Sequence, residues 1–486
     1  MTEGASSLTY AVRPAVLGKY LGQLGLMLAL LTVVPFVASL IFGEYAFSHR
    51  YLAVIAVLLL VAVPLSRLPT PERVQLNEAL VITALAFAIA PLLMIYPMMG
   101  AGLTAMDALF EAVSAVTTTG LSTLTSVEGM PHTFLFARAW MQWYGGLGIV
   151  VLSIALLMGH HITARQLSES VGSDNLATTA RTHARRMLIV YLGLTLFGIV
   201  LLWLLIDNGE LALDFILSAV STGGFAPLDR SLAGLDSEGG HAVVTLFSLA
   251  GALPLVLYYR LWNRDWRAVA TDLELRALVA ACLFFALILT LLFHTMHGFG
   301  WAQSIRHGLL LGISAQTTTG FSTLDISGLG NMFLGVLIAA MAVGGGIGST
   351  AGGFKILRLL ILLRLLQMVL RRSSMPSHAV IEPKLGGRVL EDDDIVQALF
   401  IILLFALVVF FSWLLFLYFG YAPLRALFEV VSATGTVGLS TGISGPALPS
   451  PLKLLLCADM LLGRIDIVAL LVVLYPPTWI GRRVEA

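Results

Sequence analysis

Charge and cysteine are both scarce in this chain. Only 12% of its 486 residues are Asp, Glu, Lys or Arg, against about 25% in an ordinary soluble domain. So few charges cannot keep the surface of a chain this long in water, and lipid must face most of it. The formal net charge is +0, and this balance argues against a nucleic-acid partner. The two cysteines, Cys282 and Cys457, sit inside long apolar stretches. They read as small buried hydrophobes, with neither a disulfide framework nor a metal cluster. Catalytic signatures are missing too. There is no HExxH, and the single Gly-x-Ser-x-Gly match, Gly438 to Gly442, lacks the strand–turn–helix context of a nucleophile elbow. The chain therefore reads as no enzyme and as needing no organic cofactor.

What is abundant is apolar length. Hydrophobic residues make up 58% of the chain. A bilayer core about 30 Å thick needs roughly 20 apolar residues per helix. Ten runs qualify, at 18–42, 50–66, 78–98, 138–159, 186–207, 241–262, 275–296, 331–370, 395–419 and 452–475. The eighth is too long for one span, since forty helical residues reach about 60 Å. It must break at Gly344–Gly353, where six glycines fall within ten residues. With the N-terminus placed inside, external segments hold Arg50, Arg138, Arg230, Arg306, Arg425 and Lys453. Internal ones hold many more, among them Arg67, Arg73, Arg165, Arg181, Arg185, Arg186, Arg260, Arg264, Arg267, Arg371 and Arg372. The positive-inside rule expects that asymmetry, with both termini cytoplasmic.

Four shorter segments between these runs repeat one pattern. Residues 108–115 and 426–433 differ at one position, and 114–124 and 314–324 at two. The most degenerate copy begins at Ser218. All four align without a gap from Ser114, Ser218, Ser314 and Ser432 to Gly120, Gly224, Gly320 and Gly438, glycines that are 104, 96 and 118 residues apart. Each unit reads as helix, short re-entrant helix, extended filter strand, helix. A half-helix that stops inside the membrane presents the negative end of its dipole there, which favours a cation. The extended backbone that follows can offer carbonyls in place of the ion's hydration shell, and is tolerated at that depth only along a polar pathway. Glycine allows backbone that a side chain would resist. One such cluster could be small-residue packing between helices; four in register argue for a pore. The candidate ion-binding residues are Thr118, Thr119 and Gly120; Thr222, Gly223 and Gly224; Thr318, Thr319 and Gly320; and Thr436, Val437 and Gly438. The fold expected is an all-α polytopic membrane protein with four pore repeats in pseudo-fourfold arrangement. Two extra N-terminal helices (1–70) precede repeats at 71–185, 186–272, 273–393 and 394–486.

Two further features bear on gating. The break comprising Gly344, Gly345, Gly346, Gly348, Ser349, Thr350, Gly352 and Gly353 should be mobile and line the pore; a kinked helix is the plainer alternative. A nucleotide P-loop is a worse alternative, because Lys355 comes one place late, no Ser or Thr follows it, and apolar helix flanks the segment. Arg464 lies deep in the last apolar run. It reads either as an electrostatic barrier held against the glycine-rich loop, or as an ion pair with Asp459 or Asp466. Glu111, Glu429 and Asp214 could concentrate cations at the outer mouth, or could brace the pore helices against the filter. Cytoplasmic segments 160–186, 259–275 and 371–394 carry charge and could dock a regulator.

These motifs resemble the Trk/Ktr/HKT family of K⁺ transporters, and most closely its bacterial TrkH type. The matching residues are Thr117 to Gly120, Ser221 to Phe225, Thr317 to Phe321, Thr436 to Gly438, Gly145 to Val150, Gly348 to Lys355, and Gly463 with Arg464. Val437 and Asp466 depart mildly from the pattern. The resemblance implies one pore per chain, a homodimer in the bacterial inner membrane, and a cytosolic TrkA-like regulatory subunit that binds NAD or ATP. Glycine at all four filter positions implies K⁺ as the transported ion. An ion-coupled secondary transporter with alternating access, symporting K⁺ with H⁺ or Na⁺, is the alternative.

Overall fold

In the computed structural model the described residues are 11–69, 74–157, 176–376, 382–465 and 467–480; for 149–157, 176–184 and Arg388 only the backbone is described. Helices dominate. Two N-terminal helices, α1 (Pro14–Ile41) and α2 (Tyr45–Ser66), pack on each other as a hairpin beside the rest. Repeat one follows as α3 (Leu76–Met98), α4 (Ala105–Val116) and α5 (His132–Leu157). Repeat two is α6 (Leu176–Ile206), α7 (Gly209–Val220), α8 (Glu238–Ala252) and α9 (Leu255–Trp262). After a short α10 (Trp266–Ala270), repeat three comprises α11 (Leu273–Met296), α12 (Trp301–Gln316), α13 (Asn331–Val343) and α14 (Ile356–Arg372). A hairpin of two two-residue strands, Lys384–Leu385 and Arg388–Val389, leads into repeat four. That repeat is α15 (Asp392–Tyr418), α16 (Pro423–Thr434), α17 (Ser450–Arg464) and α18 (Ile467–Leu474).

Six of the described helices are long and apolar enough to cross a membrane: α1, α2, α3, α6, α11 and α15. Their outer faces stay apolar, with Leu30, Leu60, Phe197, Leu204, Phe284 and Phe411 all exposed. In water each would forfeit about 25 cal/mol per Å² of apolar surface; against lipid it forfeits nothing comparable. The short helices α4, α7, α12 and α16 are the opposite case, buried along most of their length. Caps set where two of them begin. Thr104 accepts from the Asp107 amide, and Asn208 from the Glu210 and Leu211 amides, each worth about 1 kcal/mol to a helix start.

Three of the second helices differ from the continuous apolar runs in the sequence. The break at Gly344 is present as expected. The run 241–262, expected as one span, instead bends by 96° between α8 and α9. Pro254 lies at the bend, where it removes a donor and turns the preceding residue away from helix. The run 452–475 is likewise broken, between Arg464 and Ile467.

Packing between repeats closes on itself. The second helix of each repeat lies on the short helix of the next: α5 on α7, α8 on α12, α13 on α16, and α17 back on α4. The cores follow this ring. One joins Phe110, Phe293, Phe333, Phe405, Phe428 and Leu452 across repeats one, three and four. Another is centred on Tyr191, Phe215 and Phe247 of repeat two. The N-terminal hairpin attaches through Tyr51, Phe87, Met94 and Phe134, outside the ring.

Candidate functional site

Each short helix ends four residues before its repeat's aligned glycine, and all four end in the same way. The amides of Thr119, Gly223, Thr319 and Val437 donate back to the carbonyls of Ser114, Ser218, Ser314 and Ser432, at 2.8, 2.7, 2.9 and 2.8 Å. The amides of Thr118, Thr222, Thr318 and Thr436 donate to Ala115, Ala219, Ala315 and Ala433 at 3.0 to 3.2 Å. This pair of bonds is the Schellman closure of a helix, and its left-handed residue is usually glycine. Here it is threonine, with φ of 52°, 52°, 55° and 49°. A β-branched residue in that region costs about 1–2 kcal/mol. Such strain persists where surrounding contacts over-determine it, and it clusters at functional sites.

The threonine hydroxyls are what this conformation places. That of Thr222 donates to the Ser221 carbonyl at 2.7 Å, and that of Thr318 accepts the Gly352 amide at 2.7 Å. Those of Thr118 and Thr436 are buried with no hydrogen-bond partner.

Two residues further on, at the aligned glycines, the four expected filter segments form a closed ring. Gly120, Gly224, Gly320 and Gly438 all have positive φ, between 77° and 92°. A β-carbon on Gly120 would lie 2.3 Å from the carbonyl oxygen of Gly223. On Gly224 it would lie 2.0 Å from that of Thr319, on Gly320 1.8 Å from that of Val437, and on Gly438 2.3 Å from that of Thr119. Each glycine thus rests on the next repeat's backbone, and the fourth rests on the first. Neither the dihedral nor the space admits a side chain. The result is a belt of backbone oxygens one residue beyond a layer of threonine hydroxyls. These are hard oxygen donors without formal charge, suited to an alkali cation. The carboxyl ends of four helix dipoles converge on the same place.

Glycines on the second helices allow this close approach. A β-carbon on Gly145 would meet the Val116 carbonyl at 2.1 Å, on Gly251 the Val220 carbonyl at 2.3 Å, and on Gly463 the Thr434 carbonyl at 1.8 Å. In repeat three Gln316 stands at the matching helix end and donates to the Gly344 carbonyl at 2.7 Å.

The segments around the ring are braced differently in each repeat. Glu111 accepts from Ser122 Oγ and the Thr123 amide, and pairs with Arg138 at 3.0 Å. Glu429 accepts from the hydroxyls of Ser440 and Ser444 and from the Thr441 amide. Both carboxylates are fully buried; their geometry is that of a brace rather than an exposed cation attractor. His307 takes this part in repeat three, bonding Thr323 at 2.9 Å. In repeat two the brace is Gln142, which comes from α5 of the preceding repeat. Asp214 is buried with both oxygens unpartnered.

The glycine-rich loop crosses beneath the ring, on the side where the short helices end. The Thr350 hydroxyl donates to the Val220 and Gly251 carbonyls at 3.1 and 2.9 Å and accepts from the Thr222 hydroxyl. Gly352 reaches Thr318, and the Gly353 amide donates to the Gly435 carbonyl at 3.1 Å. The loop therefore touches repeats two, three and four. Gly344, Gly348, Gly353 and Lys355 all have positive φ. The Gly346 amide bonds the Ala252 carbonyl, the Ile347 amide bonds Glu274, and Ser349 bonds the Gly346 carbonyl. A segment expected to be mobile is thus held by a dense set of bonds. Arg464 completes the circuit. Its guanidinium donates to the Thr350 carbonyl at 2.5 Å and to the Gly145 carbonyl of repeat one at 3.3 Å. The alternative pairing with Asp459 does not occur: Asp459 accepts from Ser412 instead. Asp466, residues 160–175 of the expected docking segment 160–186, and residues 377–381 of the segment 371–394 lie outside the described residues.

Gln142 and His307 are site residues that the repeat pattern alone does not mark. The one available signal for Gln142 is a lone amide three residues before Gly145, within an apolar run.

Comparison with known proteins gives the family and the fold. A family model described as TrkH, a cation transport protein, matches residues 48–476. An uncharacterized cation transporter of Methanocaldococcus jannaschii is 28% identical over 455 residues, 93% of each chain. The Trk system potassium uptake protein TrkH of Salmonella typhimurium is 32% identical over 393 residues, 78% of this chain and 80% of that one. The crystal structure of the potassium transporter TrkH from Vibrio parahaemolyticus covers 96% of this chain with a TM-score of 0.87 at 24% identity, a likeness of fold.

Proposed function

The chain belongs to the TrkH family of cation transport proteins, and we propose on that premise that it takes up K⁺ across the bacterial cytoplasmic membrane. The ion passes through one pore per chain, at the centre of the four repeats. The filter is made of Thr118 to Gly120, Thr222 to Gly224, Thr318 to Gly320 and Thr436 to Gly438. The observation that carries this reading is the closed order of contacts in which each filter glycine rests on the next repeat's carbonyl. A ring of that kind has a single axis, and only an axis lets carbonyls from four segments share one ion. One ring around one axis favours a gated pore over two inverted halves that alternate in access.

The gate in this reading is the loop Gly344–Gly353, held shut by Arg464. It runs directly below the threonine layer and is tied to repeats two, three and four, and through Arg464 to repeat one, so a passing ion must displace it. The positive charge of Arg464 beneath the filter adds an electrostatic barrier. Both termini face the cytoplasm, and two chains assemble as a homodimer. Control comes from a cytosolic nucleotide-binding subunit, in keeping with a relative named as part of a Trk system. The charged segment 259–275, which carries Arg260, Arg264 and Arg267, is a docking surface for it.

The test is ion flux into vesicles holding the purified chain, with K⁺ and Na⁺ gradients varied one at a time. Wild-type flux should reverse at the K⁺ equilibrium potential. Gly120→Ser should admit Na⁺, because its β-carbon displaces the Gly223 carbonyl. Equal K⁺ and Na⁺ flux through the wild type would remove the K⁺ assignment. Selectivity unmoved by Gly120→Ser would remove the filter assignment.

A further inference from the structure

Repeat two breaks the filter pattern at one place. Position 223 is glycine, where the matching positions hold Thr119, Thr319 and Val437. Gly223 does not have positive φ, so backbone conformation does not require a glycine there. Space does. A β-carbon at 223 would lie 2.4 Å from Cδ of Gln142, 2.5 Å from its Oε1 and 2.8 Å from its Nε2. The amide of Gln142, fully buried on α5, occupies the volume that a side chain fills in the other three repeats. It also bonds at both ends. Nε2 donates to the Gly223 carbonyl at 2.5 Å, and Oε1 accepts from the Phe225 amide at 3.2 Å. Gly224 is therefore clamped from both sides. The carbonyl so held is the one on which Gly120 rests.

We propose that Gln142 is the selectivity-positioning residue of repeat two: a side chain lent by repeat one that replaces the one missing at Gly223 and fixes that quarter of the ring. This rests on the reading of 222–224 as filter. Glycine has the widest backbone freedom of any residue. Without the clamp, the Gly223–Gly224 peptide could rotate its carbonyl away from the site where the ion is desolvated. The ring would then hold one ligand of variable position, and discrimination between K⁺ and Na⁺ would fall. Met460, three residues before Gly463 as Gln142 is before Gly145, shows that an apolar side chain of similar length fits the equivalent place in repeat four.

The experiment measures the K⁺ to Na⁺ permeability ratio in vesicles for the full chain. Gln142→Met keeps the volume and removes both hydrogen bonds. Losing about 1 kcal/mol of positioning converts to a ratio lowered roughly 5-fold. Gly223→Ala, which expels the amide without altering residue 142, should lower the ratio similarly and stands in if Gln142→Met does not fold. Gly223→Thr should be worse than either. Gly223→Thr combined with Gln142→Ala rebuilds the Thr-Thr-Gly arrangement of repeats one and three, and should recover the ratio towards wild type. A wild-type ratio in Gln142→Met and Gly223→Ala would overturn the proposal. So would a double variant no better than Gln142→Ala alone. Gly120→Ser, run in parallel, separates the two readings. If it lowers the ratio while the Gln142 and Gly223 variants do not, the filter stands and the clamp falls. If none of these variants moves the ratio, both fall.

Discussion

Replacing Arg464 with Ala should turn a closed pathway into a leaking one. The guanidinium donates to the Thr350 carbonyl at 2.5 Å and to the Gly145 carbonyl at 3.3 Å. A hydrogen bond from a charged donor contributes about 1.5–3 kcal/mol. The second contact is long, so the pair is worth roughly 2–3 kcal/mol of the loop's closed position. The same bonds are lost whenever the loop swings clear of the ring, so their removal destabilises the closed state alone. Each 1.4 kcal/mol is tenfold in a population, so the open fraction should rise roughly 30- to 140-fold until it saturates. The positive charge below the filter disappears at the same time, which acts in the same direction. The measurement is passive K⁺ flux into vesicles in the absence of any regulatory subunit, normalised to protein reconstituted. Arg464→Lys keeps the charge but cannot reach both carbonyls at once, and should fall between the two. If Arg464→Ala protein is folded at normal levels and its basal flux equals wild type, the loop is not what closes the pathway.

Other outcomes follow from the same geometry. Thr350→Val removes the bonds to Val220 and Gly251 and should raise basal flux severalfold; because Thr350 and Arg464 hold one loop, the double variant should gain less than the product of the two effects. Gly320→Ala places a β-carbon 1.8 Å from the Val437 carbonyl and should abolish K⁺ uptake, read as loss of flux at unchanged membrane abundance. Glu111→Ala leaves the guanidinium of Arg138 buried without its carboxylate, a loss of about 3–5 kcal/mol, and should lower the melting temperature in detergent or eliminate folded protein. In the loop after the second repeat's aligned glycine, burial of Asp229 opposes its charged form, but bonds from the Val127 and Glu128 amides and the Ser126 hydroxyl outweigh this and hold its pKa below the ordinary 3.8. Because the folded value is depressed, the loop tie is fully present above that ordinary value and is lost only as pH falls through the folded one. Proteolysis near residues 126–129 should therefore be unchanged from pH 7 to pH 5 and rise below about pH 4.

The ring was the most legible part of the sequence, because it is written four times. The serine-to-glycine register reads directly off the chain, and the same residues carry the positive φ angles and the carbonyl contacts. The Gly344 break was legible from length, since no bilayer accommodates forty helical residues. The bend at Pro254 was less visible: hydropathy is uniform across Leu253 to Leu257, and only the proline marks the turn. Gln142 was hidden for a different reason. Its meaning depends on a vacancy at Gly223, eighty-one residues away, and neither residue is unusual alone. The partner of Arg464 was hidden too, because the sequence offers Asp459 as a candidate, while backbone carbonyls, which no residue letter reports, are what the guanidinium binds.

That the ring closes within one polypeptide has a consequence for how selectivity can change. In a pore built from four identical chains, any substitution in the filter is made four times at once, and most such changes are intolerable. Here one codon alters a single quarter of the proposed ligand belt while the other three keep their geometry. Discrimination among cations can therefore drift in small steps, and the degenerate second repeat, with its borrowed side chain, is the form such a step would take.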